Sequence, residues 1–358
     1  MKNFISSVLL IFLISSCNEE ASYYKISDFE KVTKTDVHVH IHTERLAFYD
    51  QAKNDNFKLL TIGLDSHNKE KKVREQYAYS VYQVSKHPEE IQFATAFTME
   101  GWDEPNWLER QLQMLDSAIN NGARAVKVWK NIGMVYRDKD GELIMVDNPK
   151  LDPIFQMLAD RKIPVIGHLG EPKNCWLPLN EMTTNNDSTY YASHPQYHMF
   201  LHPELPSYED QIVARDKMLE KNPNLIFIGA HLGSMEWDVD EIAKRLDKFP
   251  NMAVETAARM GQVFYQTHHD REKVRDFFIK YHDRVLYATD LGDSGKREVN
   301  DLHEYLHNTW LRDWRFFVTD EEMTSDLVDE PFQGLKLPKE IVDDIYLHNA
   351  QKWFKIFN

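Results

Sequence analysis

Short apolar runs recur along the chain, and between them lie longer stretches in which apolar positions return every three or four residues. The short runs, at 35–40, 58–64, 91–97, 123–129, 163–169, 225–232, 252–257 and 285–290, are rich in Val, Ile and Phe and bounded by Gly, Pro, Asn or Asp, which predicts strands. The stretches at 44–56, 69–86, 104–121, 151–161, 208–221, 237–248 and 271–281 predict helices. Start and stop signals agree, as where Asp103-Glu104-Pro105 opens one helix and Asn120-Asn121-Gly122 closes it. Eight strands alternating with helices form the pattern of an α/β fold of the (β/α)8 TIM-barrel type. A doubly wound open sheet shares the alternation, but no Gly-x-Gly-x-x-Gly follows any of these strands.

Two regions exceed the minimal unit. The connection 171–207, after the fifth strand, carries Trp176, Tyr190, Tyr191, Tyr197 and Phe200. Loops that follow barrel strands lie at the active-site face, so we expect a substrate cover there, with a packing elaboration as the alternative. The tail from residue 301 holds helical segments around 302–315 and 338–357, expected to complete the outer ring and seal the barrel bottom.

The first residues stand apart from this pattern. Met1-Lys2-Asn3 gives a basic start, 4–14 is an apolar stretch too short to span a bilayer, and Ile14-Ser15-Ser16-Cys17 ends in cysteine. This resembles a bacterial lipoprotein signal, implying export and an N-terminal lipid on Cys17, whereas a plain secretory signal would leave Cys17 incidental. We therefore divide the chain into a signal at 1–17, a polar tether at 18–33 and a barrel at 34–358. Cys175 is the only other cysteine, so no intramolecular disulfide framework is available.

Composition, with 42% hydrophobic and 28% charged residues, is that of a globular protein. The net charge of -15 and the absence of a basic run argue against nucleic acid as a partner. A small-molecule substrate is expected, and a homo-oligomer is compatible with the sequence.

Catalytic groups of such barrels sit at the C-terminal ends of strands. The first strand carries His38 and His40, which alternate onto one face opposite Val37, Val39 and Ile41. Strand four places Lys127 among apolar residues, strands five and six end in His168 and His231, and strand eight ends in Asp290. Four histidines and an aspartate, all at strand ends, point to a metal site.

The motifs Asp36-Val37-His38-Val39-His40, Gly167-His168-Leu169-Gly170-Glu171-Pro172, Gly229-Ala230-His231-Leu232-Gly233 and Ala288-Thr289-Asp290 resemble the amidohydrolase superfamily, closest to the amidohydrolase-related branch of hydrolases and non-oxidative decarboxylases. That resemblance implies that His38, His40, His168 and Asp290 ligate a divalent cation, zinc first and manganese second. It further implies that His231 binds a second metal or holds the nucleophilic water, and that Asp290 shuttles the proton. The metal would lower the pKa of its bound water and polarise the scissile carbonyl. Lys127 matches the position that is carboxylated to bridge two metals in binuclear members. Its alternatives are a pair with a carboxylate such as Glu255 or contact with an anionic substrate, so one ion or two stays open.

Arg259, Glu171 and Lys130 are candidate substrate contacts, Arg259 being suited to a carboxylate by its fork of donors, with a structural ion pair as the alternative for each. His194, His198 and His202 lie in the long connection without strand placement and are not expected to ligate. Asp65-Ser66-His67 follows strand two with no assigned role, and Cys175 is not needed as a nucleophile. A hydrolase of C–O or C–N bonds is the first functional expectation and a carboxy-lyase of aromatic or unsaturated acids the second. A binding protein on a degraded barrel is the non-enzymatic alternative.

Overall fold

The computed structural model describes residues 22–357; the signal and Cys17 lie outside them. β1 (Lys34–Ile41), β2 (Phe57–Ile62), β3 (Ile91–Ala96), β4 (Ala125–Val128), β5 (Val165–Gly167), β6 (Phe227–Gly229) and β7 (Met252–Glu255) pair side by side, all parallel. The eighth strand comes in two pieces: β8 (Val285–Leu286) pairs with β7, and β9 (Leu291–Asp293) pairs with β1. Between them, Tyr287 O accepts from Val37 N at 3.2 Å, Thr289 O from Ala258 N at 3.1 Å, and Asp290 N donates to His38 O at 2.9 Å. Residues 287–290 thus bond to both neighbours and bring the first and last strands of the barrel together.

Expected alternation in β1 fails at one point. Asp36 pairs with Leu59 and Val39 with Thr61, so three steps on β1 face two on β2, a bulge. Val37 therefore joins the barrel interior with Leu60, Ile62, Ala94, Ala125, Ile166, Ile228 and Leu286, while Val39 and Ile41 pack outward against the helices.

The predicted helices form as α1 (Ala47–Asn54), α2 (Glu70–Lys86), α3 (Trp107–Asn120), α4 (Asp152–Arg161), α6 (Tyr208–Lys221), α8 (Val239–Lys248) and α10 (Arg271–Lys280). Four elements are additions. The connection 171–207 contains α5 (Asn185–Ser193) among short 3-10 turns, and one tight turn, α7 (Ala230–Gly233), follows β6. α9 (Met260–His269) follows β7, and a hairpin of β10 (Glu322–Ser325) and β11 (Val328–Gln333) follows α11 (Val299–Val318). Asn185 stitches α5 to that hairpin through its N–H to Leu327 O at 2.9 Å and its Nδ2 to Asp329 Oδ1 at 2.9 Å.

The tail seals the bottom as expected. After α12 (Lys339–Asp343) and a π-helical turn, α13 (Asn349–Phe354) inserts Ala350, Trp353 and Phe354, with Ile356, into the interior cluster. Asn349 Nδ2 donates to Val285 O at 2.8 Å. At the other terminus, residues 22–33, assigned above to a tether, lie against the barrel. Phe29 is buried between Phe57 and Trp314, and Tyr24 Oη donates to Asp343 Oδ1 at 2.8 Å.

Candidate metal centre

The bulged end of β1 delivers His38 and His40, and each ring is fixed from behind. His38 Nδ1 lies 2.7 Å from Glu255 Oε1 at the end of β7, and His40 Nδ1 lies 2.8 Å from Ile62 O at the end of β2. Both partners are acceptors, so both rings carry their proton on Nδ1 and expose the lone pair of Nε2. Those Nε2 atoms lie 3.3 Å and 3.0 Å from Asp290 Oδ1. An acceptor facing an acceptor at that range calls for a proton or a cation between them. Two imidazoles and a carboxylate, their ligand atoms within 4.8 Å of one another, are donors that zinc and manganese both accept. The residues fit a divalent ion.

Burial would raise the Asp290 carboxyl, but His38, His40 and His231 hold it well below the usual range. Burial, with Lys127 nearby, pushes the His38 imidazole down, Glu255 opposing. Lys127 is buried with Nζ 3.2 Å from His38 Nε2. Burial lowers its ammonium to about 8 against the pull of Glu255 and Asp290. Of the alternatives for Lys127, the direct pair with Glu255 does not form. Glu255 Oε1 is taken by His38 and the His231 N–H, and its Oε2 accepts from Ala257 N at 2.5 Å.

His168 stands outside the three-donor group. The four imidazoles form a row, with ring centroids 5.1 Å apart from His40 to His38, 5.1 Å from His38 to His231 and 4.1 Å from His231 to His168. His231 Nδ1 bonds to Ala257 O at 2.9 Å, leaving Nε2 to face His168 Nδ1 at 3.0 Å. The backbone bends to place it: His231, Leu232, Gly233 and Ser234 all adopt left-handed φ, between 56° and 65°. A side chain at Gly229 would meet the Gly233 Cα at 2.8 Å, so the tight turn requires glycine at that position. Asp290 is left-handed too, at φ 68°, a conformation that costs about 1–3 kcal/mol and needs support from its surroundings.

Asp36 gives that support, and its position within the first motif did not single it out. It is buried and accepts four bonds: from His38 N at 3.2 Å, Thr289 N at 3.1 Å, Thr289 Oγ1 at 2.6 Å and Trp310 Nε1 at 3.0 Å.

The three candidate substrate contacts lie beyond His168. Glu171 Oε2 is 3.3 Å from His168 Nε2, and its other oxygen accepts from Lys130 Nζ, which also sits 4.3 Å from the Tyr197 ring centroid. Burial alone would raise the Glu171 carboxyl, but Lys130 and His168 outweigh it and hold it at about 2. A depressed carboxyl stabilises the fold above its unfolded value near 4.5 and loses that contribution as pH falls towards 2. Lys130→Met should therefore cost about 3 kcal/mol at pH 7, and the deficit should shrink on acidification because Glu171 can then protonate. Urea unfolding at pH 7, 5 and 4 checks this; a deficit that grows on acidification would disprove it. Arg259 is buried, its Nη1 bonded to Ala258 O at 3.0 Å and its Nε without a partner among the described residues. Its charge is balanced by Asp187, Glu236 and Glu171.

Other residues flagged in the sequence have structural bonds. His194, His198 and His202 bond to Tyr190 O, Leu177 O and Pro195 O at 2.9, 2.8 and 3.0 Å. Asp65 accepts from Met99 N at 3.0 Å and Lys69 N at 3.2 Å. Cys175 is buried with Sγ against Tyr197 O, and burial pushes its thiol up. A cavity of about 280 Å³ reaches Asp290 between α9, α11 and the hairpin turn.

Among curated proteins no sequence match was found. Solved structures are similar in fold. An uncharacterized TIM-barrel protein from Bordetella bronchiseptica is 14% identical over 90% of this chain and 99% of its own, with a TM-score of 0.51. A 2,6-dihydroxybenzoate decarboxylase from Rhizobium is 14% identical over 90% of this chain and 98% of its own, also with a TM-score of 0.51. The family profile described as amidohydrolase matches residues 35–356, nearly the whole described chain, and on that match the protein belongs to the amidohydrolase family.

Proposed function

We propose that the protein is a metal-dependent hydrolase that opens a C–O or C–N bond, as in a lactone, ester or amide, of a small polar molecule. The supporting observation is the convergence of two Nε2 lone pairs and the Asp290 carboxylate on one point. A divalent cation supplies Lewis acidity and lowers the pKa of water. His38 and His40 hold it, and Glu255 and Ile62 O keep their Nε2 atoms aimed inward. Asp290, whose side chain is 33% exposed against 16% for His40 and 1% for His38, is the most accessible member of the group. Its Oδ2 takes the proton of the attacking water and returns it to the leaving group. His231, anchored on Ala257 O, points its Nε2 at His168 Nδ1 and is the candidate to orient that water. Lys130 and Glu171, paired beside His168, are candidate contacts for the substrate on that side.

A second reading is a carboxy-lyase, since the buried, partly unpaired Arg259 could clamp a carboxylate, and the similar Rhizobium structure is named for that class of reaction. Release of CO2 without consumption of water would select it.

Metal content per chain and its dependence on Lys127 test the centre. Purified protein should hold one or two equivalents of zinc or manganese and lose turnover on chelation. Two equivalents falling to one or none in Lys127→Ala indicate that a carboxylated Lys127 bridges two ions. One equivalent untouched by the substitution indicates a mononuclear site, and no bound metal under any loading condition would rule the proposal out.

A further inference from the structure

The cavity that ends on Asp290 has one cation in its lining. It is bounded by Ala258, Met260 and Thr289 on the barrel, by Thr309 and Arg312 on α11, and by Asp326 in the hairpin turn. A second cavity, of about 640 Å³, shares Thr309, Arg312 and Asp326 with it and leads outward. The two cavities adjoin at these residues, the inner one touches Asp290, and Arg312 belongs to both.

The guanidinium is held in place on one edge. Nε and Nη2 of Arg312 lie 2.9 Å from Asp313 Oδ1, and Asp313 is itself buried and fixed by the Tyr287 hydroxyl, 2.9 Å from its Oδ2. The Phe264 ring supports the group from 5.5 Å. One edge of the fork is thus used by Asp313, and Nη1 has no hydrogen-bond partner among the described residues. A guanidinium anchored through two nitrogens with its third free in a cavity is a pre-organised donor for a carboxylate. Asp326, Asp301 and Glu304 are exposed in the lining of the outer cavity and their charges oppose an anion there, so Arg312 is the one point of the lining where a carboxylate finds a cation.

We propose that Arg312 is a specificity residue that takes a carboxylate of the substrate, on the part of the molecule remote from the bond that reacts. The substrate class is then a small acid rather than a neutral molecule: a lactone, ester or amide with a free carboxylate about one cavity length from the scissile carbonyl. This rests on the metal-dependent reading of the site, because the same cavity must deliver the reacting carbonyl to Asp290.

The test is calorimetric titration of the zinc-loaded full chain with glutarate and with its neutral diamide, glutaramide. Glutarate should bind and glutaramide should bind at least tenfold more weakly. Arg312→Gln should weaken glutarate about ten- to a hundredfold and leave glutaramide unchanged. Arg312→Lys, which keeps the charge beside Asp313 without the fork, should fall between them. Asp326→Asn, at an exposed position remote from the fold's interior, should tighten glutarate. Circular dichroism melts establish that each variant is folded. Equal binding of the two probes to the wild type, or glutarate affinity unaffected by both Arg312→Gln and Asp326→Asn, overturns the proposal. Glutarate binding that depends on Arg312 upholds it even if metal-dependent turnover is never found, so the two readings fail separately.

Discussion

Asp290→Ala is expected to reduce turnover by about a thousandfold or more and to lower metal affinity. The carboxylate is asked both to complete the three-donor group and to carry a proton, and each of those roles alone is commonly worth about two orders of magnitude or more. Stability should respond differently. Alanine adds strain at φ 68°, on top of the chemistry it removes. Asp290→Asn separates the two effects, because asparagine tolerates the left-handed region better than alanine does. It should keep the wild-type melting temperature and still lose turnover. Either variant keeping about a tenth of wild-type activity, measured on any substrate the wild type turns over, would remove Asp290 from the mechanism.

Asp36→Ala should be the most damaging single change to the fold, costing about 3–5 kcal/mol by urea unfolding at pH 7. Four buried donors lose their only shared acceptor, and each orphaned donor costs about 1–3 kcal/mol before relaxation. Burial pushes the Asp36 carboxyl up to about 7, and the four donors pull against it. Asp36→Asn should be milder, near 2 kcal/mol, since one oxygen remains to accept. Activity should fall in both, because Thr289 and the His38 N–H are the points from which Asp290 and His38 are held. A loss below about 1 kcal/mol for Asp36→Ala would show that water satisfies those donors.

The barrel was legible because its strands are short, branched and bounded, and because a polar residue ends the runs that matter. His38, His40 and Asp290 could be found at strand ends without tertiary information. Other features could not. α9, Met260-Gly261-Gln262-Val263-Phe264-Tyr265-Gln266-Thr267-His268-His269, has no capping side chain and few charges, so nothing in its local chemistry marks a start. The hairpin strands are interrupted by Pro331 and acidic residues, and their register depends on contacts with α9 rather than on alternation. The bulge at 36–39 turns Val37 inward against the period of the strand. Arg312 carries no local signal, because only the closed fold brings α11 to the cavity that touches Asp290. Lys130 and Glu171 were legible as site-side residues but not as partners of each other, since that depends on where the connection after β5 folds back.

The seam between β1 and the divided eighth strand bears on how the molecule comes apart. His40 and Asp290 are 250 residues apart in sequence and 3.0 Å apart in space, at the seam where Val37, Asp290 and His42 donate backbone bonds across the ends of the barrel. An ion held by these two side chains, as proposed, would act as a clasp across the longest loop in the barrel, where closure entropy is greatest. Removing it should free the junction of the two ends before the sheet's middle. Amide exchange at Val37, Asp290 and Gly292 would then quicken, while β4 and β5 keep their protection.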